Sequence, residues 1–496
     1  MRNAHAVADV RTAEQALLAR LPDGALMSRA AAGLASACAR LLGQVYGARV
    51  VILAGSGDNG GDALFAGALL AARGAAVTAI AAASRLHEPG AAALRSAGGS
   101  IRAAQADADQ ADLDRAGLII DGLLGIGGRG GLREPAATLA ARTERARAGG
   151  AIVVAVDLPS GVDADTGVVA GAAIRADVTV TFGTWKPGLL IDPGASRAGA
   201  AELIDIGLAD LPAPAVTALQ AADIAALLPR PGAESDKYRR GVLGLLAGSQ
   251  RYTGAAVLAT GSAIHGGAGM VRLMSAPPAL TAALQHWPEA VTTVADAGAP
   301  AKSVETAGRV QAWAAGPGMG TDEGAAGLLA AVLASDVPAL VDADGITILA
   351  GHRELLDRSA PTLITPHAGE LARLTGADRA AIEARRLEHA TAAAADLGVT
   401  VLLKGSTTVI ADPGGTVLVN TTGSAWLATA GSGDVLSGLA GALLAQGLPP
   451  LQAAAAAAYL HGVAGRRAAD GAPIGAADLI TALPGAIRSV TRPVSS

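Results

Sequence analysis

A glycine-rich stretch near the end of the chain delivers one carboxylate to the start of an apolar helix. It reads Gly431-Ser432-Gly433-Asp434 and continues with Val435, Leu436, Ser437 and Gly438. Glycines here let the backbone approach a ligand closely, and the amides that open a helix carry partial positive charge. We therefore interpret the stretch as a phosphate cradle. Asp434 is either an N-terminal cap, which its spacing alone favours, or a base beside a phosphoryl acceptor.

A second glycine-rich loop, residues 55–62, has the spacing G-x-G-x-x-G but differs from the usual dinucleotide fingerprint. It reads Gly-Ser-Gly-Asp-Asn-Gly-Gly-Asp. The fingerprint also requires an acidic residue at the end of the second strand, where it binds a ribose. Here that strand ends in Ala81-Ala82-Ala83, without an acid. The loop instead carries polar oxygens of its own at Asp58, Asn59 and Asp62.

Oxygen-bearing side chains also follow later strands of the first half. Asn59, Asp121 and Ser160 could converge, because the carboxyl ends of parallel strands meet at one edge of a sheet. Oxygen ligands without His or Cys suit a hard cation and not zinc. The glycine turn at 122–131, with Arg129, is suited to cradle a phosphate.

Short β-rich runs alternate with Ala-rich helical stretches, which predicts parallel α/β domains. The turn Asp412-Pro413-Gly414-Gly415 predicts an antiparallel edge in the second sheet. A linker with two prolines at 211–215 places the boundary near 210–222, and we predict domains at 1–215 and 223–496. The predicted strands are 49–54, 76–81, 118–121, 151–157 and 177–182 in the first half, and 242–247, 310–314, 339–342, 362–365, 400–403, 408–411 and 416–419 in the second.

The composition limits the classes of protein to which the chain can belong. A chain of 496 residues with 51% hydrophobic and 16% charged residues predicts two globular domains and no membrane span. A net charge of −5 and 2% aromatic residues argue against a nucleic-acid surface. The single cysteine, Cys38, excludes an intramolecular disulfide and a thiolate metal cluster. The first residues show no secretory signal, so we expect a cytoplasmic protein, and we also expect a homo-oligomer.

The first half resembles the YjeF N-terminal family, the epimerases of hydrated NAD(P)H, across most of residues 10–210. The resemblance rests on the motifs above and on 26–33 and 181–188. It implies a Rossmann-like three-layer αβα domain with potassium at Asn59, Asp121 and Ser160. Ser56, Asp58 and Ala63 depart from the family loop. The resemblance implies that the hydrated dinucleotide is bound by Asp58, Asn59, Gly60, Gly61, Asp62, Gly125, Ile126, Gly127, Gly128, Arg129, Gly130, Gly131 and Asp157.

Epimerisation would require proton movement at a hydroxyl on the carbon beside the ring nitrogen. Asp157, at a strand end, is the better acid/base candidate and Lys186 is the second. The alternative is that Asp157 caps the following turn and Lys186 is a solvated surface residue.

The second half resembles the ribokinase-like superfamily, and within it the YjeF C-terminal family of nucleotide-dependent dehydratases of hydrated NAD(P)H, over about residues 225–490. The motifs are 247–256, 316–320, 341–345, 365–370, 403–408 and the cradle. Ala368 departs from the family's proline. The resemblance implies a ribokinase-like α/β domain in which Lys404, Gly405, Ser406, Thr407, Thr408 and Gly433 bind the adenine nucleotide, and Ala256, Gly318, His367 and Asp434 bind the hydrated substrate.

The implied chemistry is phosphoryl transfer to a hydroxyl, followed by elimination. Asp434 would take the hydroxyl proton and the amides of 431–434 would stabilise the transferred phosphoryl group. Mg²⁺ would bridge phosphate oxygens. Bacterial members are expected to use ADP and some relatives ATP, and the residues do not decide between them. For His367 alone, a capping or core role is the favoured alternative.

Together the two resemblances imply one enzyme with both activities, an isomerase and a lyase, that repairs NADHX and NADPHX with ADP or ATP as co-substrate. The second hypothesis is a small-molecule kinase acting on a vitamin-like alcohol, with a non-catalytic N-terminal scaffold. The polar oxygens at Asn59, Asp121, Asp157 and Ser160 favour an active first domain.

Overall fold

The computed structural model describes residues 1–232 and 234–492. The last residues of the predicted second domain, 493–496, lie outside the described residues. The chain divides into two compact units. The N-terminal unit is Asn3–Val216, and the C-terminal unit runs from Thr217 onward and includes Met1–Arg2.

The first fifteen elements extend through residue 204. They are β1 (Arg2–Ala4), α1 (Val7–Leu18), α2 (Ala25–Leu42), β2 (Arg49–Ala54), α3 (Asp58–Ala71), β3 (Ala76–Ala81), α4 (Glu88–Ser96), β4 (Ser100–Ala103), α5 (Ala106–Leu113), β5 (Leu118–Gly122), α6 (Ala136–Ala148), β6 (Ile152–Val156), β7 (Val178–Phe182), α7 (Ala195–Ala198) and β8 (Ala200–Ile204), with a 3-10 helix at Pro187–Leu189.

The N-terminal unit is built on a seven-stranded sheet in the order β4-β3-β2-β5-β6-β7-β8, with every neighbouring pair parallel. Alternate residues of a strand point to opposite faces of a sheet. Ile52 accordingly lies in one core with Leu34 and Leu64 from α2 and α3, whereas Leu53 lies in another with Leu139 from α6. Helices therefore cover both faces, which confirms the predicted three-layer αβα architecture.

The remaining elements belong to the C-terminal sheet and its helices. They are β9 (Val216–Ala218), α8 (Ala221–Leu227), β10 (Val242–Leu246), α9 (Thr253–His265), β11 (Met270–Ser275), α10 (Pro277–His286), β12 (Val291–Val294), α11 (Pro300–Ala307), β13 (Ala312–Ala315), α12 (Glu323–Leu333), β14 (Ala339–Val341), α13 (Asp344–Leu349), β15 (Thr362–Ile364), α14 (Ala368–Thr375), α15 (Arg379–Ala384), α16 (Arg386–Leu397), β16 (Thr400–Leu403), β17 (Thr408–Ala411), β18 (Val417–Asn420), α17 (Ser432–Ala445), α18 (Pro450–Ala469) and α19 (Ala476–Thr491), with 3-10 helices at Arg353–Leu356 and Ala425–Leu427.

The second sheet has eleven strands in the order β1-β9-β18-β17-β16-β15-β14-β13-β10-β11-β12. β17 pairs antiparallel with both β16 and β18, and residues 412–415 form the turn between β17 and β18. The predicted antiparallel segment is therefore confirmed. It does not form the edge of the sheet, because β18 also pairs with β9, in parallel.

Small residues allow α9, α17 and α18 to pack closely on one face of this sheet. Ala259, Ala440 and Ala456 are fully buried in one core with Leu243 and Leu439. A Cβ at Gly438 would lie only 3.0 Å from the Ala259 Cα, so α17 approaches α9 at backbone distance. This packing fixes the start of α17, which carries the predicted cradle.

Among the described residues, no helix is both long and apolar enough to cross a membrane.

Candidate active sites

Asp121, the single acidic residue of β5, is fully buried at the carboxyl edge of the N-terminal sheet. Its Oδ2 accepts the Ser160 N–H at 2.8 Å, and its Oδ1 accepts the Ser160 hydroxyl at 2.7 Å. The Leu123 N–H donates to Oδ1 at 3.3 Å. Burial raises the pKa of Asp121 to about 6, and these hydrogen bonds only partly offset the effect. The carboxylate thus lies in a position where a bound cation would stabilise its charge.

Asn59, in the first turn of α3, completes a group of oxygen atoms beside Asp121. Its Nδ2 donates to the carbonyls of Val156 at 2.6 Å and Leu124 at 3.1 Å. The Ser160 hydroxyl lies 3.1 Å from the same Leu124 carbonyl. The structure therefore brings together the three predicted cation ligands. One carboxylate among neutral oxygens is a donor set that fits a hard monovalent cation better than a transition metal.

Asp157 and Lys186 form a buried ion pair at the ends of β6 and β7. The Lys186 Nζ donates to Asp157 Oδ1 at 2.5 Å, to Thr181 Oγ1 at 3.0 Å and to the Phe182 carbonyl at 2.9 Å. Lys186 is 1% exposed, so the alternative of a solvated surface residue is wrong. Asp157 has φ 64°, and non-glycine residues held at positive φ concentrate at functional sites.

Two further carboxylates, Asp62 and Glu14, face this pair. Asp62 is buried, and its Oδ1 has no hydrogen-bond partner among the described residues. Burial, followed by the charges of Asp157 and Asp58, raises the pKa of Asp62 well above its usual range. Burial also raises the pKa of Glu14, and the positive charge of Lys186 opposes this shift. Sequence reasoning missed Glu14, because its only signal was an acidic residue on a helix outside the motifs.

The glycine turn after β5 serves two purposes. A Cβ at Gly125 would lie 2.6 Å from the Asn59 Cγ, so glycine is needed there for Asn59 to fit. Farther along the turn, Gly128, Arg129 and Gly131 line a cavity of about 370 Å³. Ile126, Gly127 and Gly130 do not line it.

Lys404, which follows β16, is held by two carboxylates in the C-terminal unit. Its Nζ lies 2.6 Å from Asp342 Oδ1 and 3.7 Å from Glu370 Oε2. Although burial disfavours its charge, these two carboxylates raise the pKa of Lys404. Asp342 Oδ2 also accepts the Ser437 hydroxyl at 2.5 Å, and that hydroxyl lies 3.0 Å from the Gly433 carbonyl. Asp342 therefore links Lys404 to the cradle, a role that sequence reasoning did not assign.

Asp434 is the third residue of α17, and it does not cap the helix. The N-cap is Gly431 at φ 86°, with no side-chain cap hydrogen bond. The cap interpretation favoured by spacing is therefore wrong. Burial, followed by repulsion from Asp342, raises the pKa of Asp434 to about 6, while Lys404 opposes the shift. The group is thus suited to accept a proton near neutral pH.

A cavity of about 580 Å³ opens at the start of α17. It is lined by most of the residues predicted for the nucleotide, namely Lys404, Gly405, Ser406, Thr408 and Gly433. Thr407 is buried beside them and does not line the cavity. Two lining residues that sequence reasoning missed are Ser432 and His461. The His461 Nε2 lies 3.0 Å from the Ser432 carbonyl and 3.3 Å from its hydroxyl.

His367 combines a capping role with exposure to this cavity. Its Nδ1 accepts the N–H groups of Gly369 at 2.9 Å and Glu370 at 3.2 Å, while Glu370 Oε2 accepts the His367 N–H at 2.8 Å. This capping box at the start of α14 confirms the capping alternative. The side chain is nevertheless 52% exposed and lines the cavity.

The structure does not bring Ala256 to the cavity surface. Ala256 is fully buried in α9, and a Cβ at Gly248 would lie 2.8 Å from its methyl group. Gly318 has φ 60°, and a Cβ there would lie 2.8 Å from the Ala255 methyl. Ala256 therefore maintains close packing between α9 and the turn after β10, and Gly318 does so between α9 and the turn after β13.

Two α/β units, one with buried oxygen atoms at the carboxyl edge of its sheet and the other with a glycine-rich helix start beside a cavity, have the architecture of a two-domain enzyme. Comparison with known proteins identifies the family. Residues 23–188 match the family model "YjeF-related protein N-terminus", and residues 243–484 match the model "NAD(P)H-hydrate dehydratase". The chain is 49% identical to the bifunctional NAD(P)H-hydrate repair enzyme Nnr of Mycobacterium leprae, over 95% of this chain and 96% of that protein. The chain therefore belongs to the family of bifunctional NAD(P)H-hydrate repair enzymes.

Other matches support the same conclusion. The Nnr enzyme of Mycobacterium tuberculosis is 49% identical over 92% of each chain. Among solved structures, the ADP/ATP-dependent NAD(P)H-hydrate dehydratase of Bacillus subtilis, co-crystallised with ATP and Mg²⁺, is 31% identical, with a TM-score of 0.51. The match covers 55% of this chain and 99% of that one. A ribokinase-like protein of Enterococcus faecalis is 26% identical, with a TM-score of 0.52, over 57% of this chain and all of that one. The predicted ribokinase-like fold is thus confirmed.

Proposed function

We propose that the chain repairs hydrated nicotinamide dinucleotides in two steps. The predicted domain 1–215 interconverts the (6R) and (6S) epimers of NADHX and NADPHX, and the predicted domain 223–496 dehydrates the (6S) epimer with ADP or ATP. The observation that carries the proposal is the position of Asp434, a half-buried carboxylate in the first turn of α17. It directly follows Ser432 and Gly433, which line the cavity of about 580 Å³, and the charge of Lys404 acts on it. We also propose that the protein is a homo-oligomer in the cytoplasm, as expected from the sequence.

Dehydration begins with phosphoryl transfer to the C6 hydroxyl. Asp434 accepts the hydroxyl proton while the oxygen attacks the terminal phosphorus of the nucleotide and the bridging P–O bond breaks. The amides of residues 431–434 stabilise the charge on the transferred group. The ring-nitrogen lone pair then expels phosphate from C6, and loss of a proton from C5 restores the dihydropyridine. Phosphorylation is needed because hydroxide is a poor leaving group.

Lys404 is suited to hold the phosphates of the nucleotide. Lys404 provides a positive charge for the phosphates next to Gly433, since a Cβ at Gly433 would be 3.6 Å from its Nζ. The buried carboxylates of Asp342 and Glu370 hold the Lys404 ammonium in position, and Mg²⁺ would be held mainly by the phosphate oxygens of the nucleotide. When bound, Mg²⁺ would neutralise charge on the phosphate oxygens. His367, at the rim of the cavity, is assigned to the hydrated substrate.

Epimerisation is assigned to the Asp157–Lys186 pair. A proton donated to the C6 hydroxyl allows water to leave with assistance from the ring nitrogen, and water then adds to the opposite face and loses a proton to the enzyme. The ammonium of Lys186 and the carboxylate of Asp157 supply the acid and the base. Asn59, Asp121 and Ser160 would hold K⁺, whose charge would stabilise the buried Asp121 carboxylate.

The test is incubation of the protein with (6S)-NADHX and either ADP or ATP. Repair restores the dihydronicotinamide absorbance and releases phosphate in equal amounts. Accumulation of a stable phosphorylated hydrate would instead favour the small-molecule kinase hypothesis. With pure (6R)-NADHX and no nucleotide, appearance of the (6S) epimer tests the N-terminal unit separately.

A further inference from the structure

The cavity of about 370 Å³ in the N-terminal unit lies at the point where the strand order of the sheet reverses. It is lined by residues that follow β2, β3 and β5, including Ser56, Ala83 and Leu124. β2 is flanked by β3 on one side and by β5 on the other. The strands before β5 therefore extend to one side of β2, and the later strands extend to the other side. Open parallel sheets bind ligands in the crevice at such a switch point.

Two arginines, Arg129 and Arg133, give this cavity its charge. Both line it, and neither forms an ion pair or hydrogen bond through its side chain within the described part of the chain. No acidic residue among the described residues lines the cavity. The Ser56 hydroxyl adds a neutral donor. Two unpaired guanidinium groups in an acid-free cavity favour a ligand with a phosphate group, which they can bind in bidentate fashion.

The position of the cavity relative to the reacting groups indicates which phosphate it binds. The Asp157–Lys186 pair lies at the ends of β6 and β7, whereas the cavity reaches β3, three strand spacings or roughly 14 Å from β6. That distance corresponds to the adenosine end of an extended dinucleotide whose nicotinamide lies at the pair. In dinucleotide sites, an acid at the end of the second strand binds the ribose 2′-hydroxyl, whereas an arginine accommodates a 2′-phosphate. Here Ala82 and Ala83 occupy the position of the acid.

We propose that Arg129 and Arg133 bind the 2′-phosphate of hydrated NADPH, so that the N-terminal unit prefers NADPHX to NADHX. The inference rests on the proposed epimerase function and adds Arg133 as a specificity-determining residue.

The test compares epimerisation of (6R)-NADPHX and (6R)-NADHX, without nucleotide, by wild type, Arg129→Ala and Arg133→Ala. Each variant should raise the KM for NADPHX about tenfold or more, as expected for losing a charge-assisted hydrogen bond, and change the KM for NADHX little. Arg73→Ala is the matched control, because Arg73 is an exposed arginine that does not line the cavity. Retained epimerisation of (6R)-NADHX by the same variants shows that the N-terminal unit is folded, and dehydration of (6S)-NADPHX by the C-terminal unit should be unchanged.

Equal losses for both substrates would mean that the arginines bind the shared pyrophosphate, and no loss for either would mean that they bind nothing. Both results would overturn the proposal. If wild type epimerised neither substrate, the proposed function itself would be wrong. In that case, calorimetry would still show whether the cavity binds a 2′-phosphate. The measurement would be made with enough ATP to saturate the C-terminal unit. Adenosine 2′,5′-bisphosphate should bind wild type more tightly than Arg133→Ala, and equal binding would again overturn the proposal.

Discussion

The two candidate acid/base carboxylates stand in different relations to their neighbouring lysines. Asp157 pairs directly with Lys186 at 2.5 Å, so proton transfer between them needs no rearrangement. Within the described part of the chain Asp434 forms no such ion pair, and Lys404 is held 2.6 Å from Asp342 instead. A carboxylate repelled by a neighbouring acid and not paired with a cation is a stronger base than usual. This difference suits Asp157 to reversible proton exchange and Asp434 to proton removal.

The raised pKa of Asp434 predicts the pH dependence of dehydration. A base with a pKa of about 6 loses function by protonation as the pH falls through that value, so kcat/KM should fall about tenfold per pH unit below it. Asp342→Asn should move the midpoint to lower pH, because it removes the repulsion and frees Lys404 to approach Asp434. Titration of the nucleotide phosphates would be the same in both proteins. If the midpoint did not move in Asp342→Asn, the fall of kcat/KM at low pH could not be assigned to protonation of Asp434.

The fully buried Asp121 predicts that K⁺ stabilises the N-terminal unit. Hydrogen bonds offset the burial of this carboxylate only in part, and a cation that binds only the folded state raises its stability by mass action. Wild type should therefore melt at a higher temperature in KCl than in the same concentration of tetramethylammonium chloride, and Asp121→Asn should lose this difference. Asp114→Asn, which replaces an exposed aspartate, is the matched control. A K⁺ effect of equal size in Asp121→Asn would show that the cation binds elsewhere.

At the scale of elements, α18 reaches the cradle through His461. Burial lowers the pKa of His461 to about 4, so the imidazole is neutral during assays near neutral pH. Its Nε2 faces the Ser432 carbonyl at 3.0 Å and therefore holds the first residue of α17. Asp434 lies two residues farther along the same turn. We assign His461 a positioning role for the cradle, not a role in proton transfer.

His461→Ala should accordingly lower the kcat of dehydration while leaving the pH midpoint unchanged. Loss of a buried hydrogen bond should also cost about 1–3 kcal/mol of stability. His461→Gln, which retains a donor, should recover part of the kcat, and that rescue distinguishes positioning from simple packing. The measurement is kcat and KM for (6S)-NADPHX across pH, with urea denaturation for stability. A shifted midpoint, or a KM effect without a kcat effect, would contradict the positioning role.

Strands made of buried apolar residues could be predicted from the local sequence. Strands whose position depends on pairing with a neighbouring strand were missed. β2, β3, β16 and β17 match the predicted limits because their residues are almost all apolar and lie inside a sheet. β4 and β12 were missed, since they are half-exposed strands at sheet edges, as was β11, where Arg272 interrupts the apolar run. Their pairing is fixed by the neighbouring strand and not by their own pattern.

The same distinction applies to the candidate sites. Asp434, Lys404 and Asn59 stand in glycine-rich motifs, and these motifs indicated a ligand site although spacing alone favoured a cap for Asp434. His461, in an Ala-rich helix, and Arg133, beyond the glycine turn, carry no such local signal. Each reaches its site only because tertiary packing places its helix or loop there.

At the scale of the whole molecule, each unit carries its own sheet, its own core and its own set of reacting groups. The reacting groups named here for each reaction all belong to one unit, so the two activities are predicted to be separable. Asp157→Asn should lose epimerisation and retain dehydration, and Asp434→Asn should do the reverse. Loss of a positioned general base should lower the affected rate by about 10²–10⁴-fold.

Mixing the two variants then tests whether the hydrate passes between the sites through solution. With (6R)-NADPHX and ADP or ATP, neither variant alone should form NADPH faster than spontaneous epimerisation allows. The mixture should form NADPH at a rate that rises with the concentration of either variant, because (6S)-NADPHX released by one protein is dehydrated by the other. Asp396→Asn, at an exposed position in the C-terminal unit, is the matched control and should form NADPH without addition of a second variant. A mixture no faster than its components would mean that the epimer is not released between the two reactions.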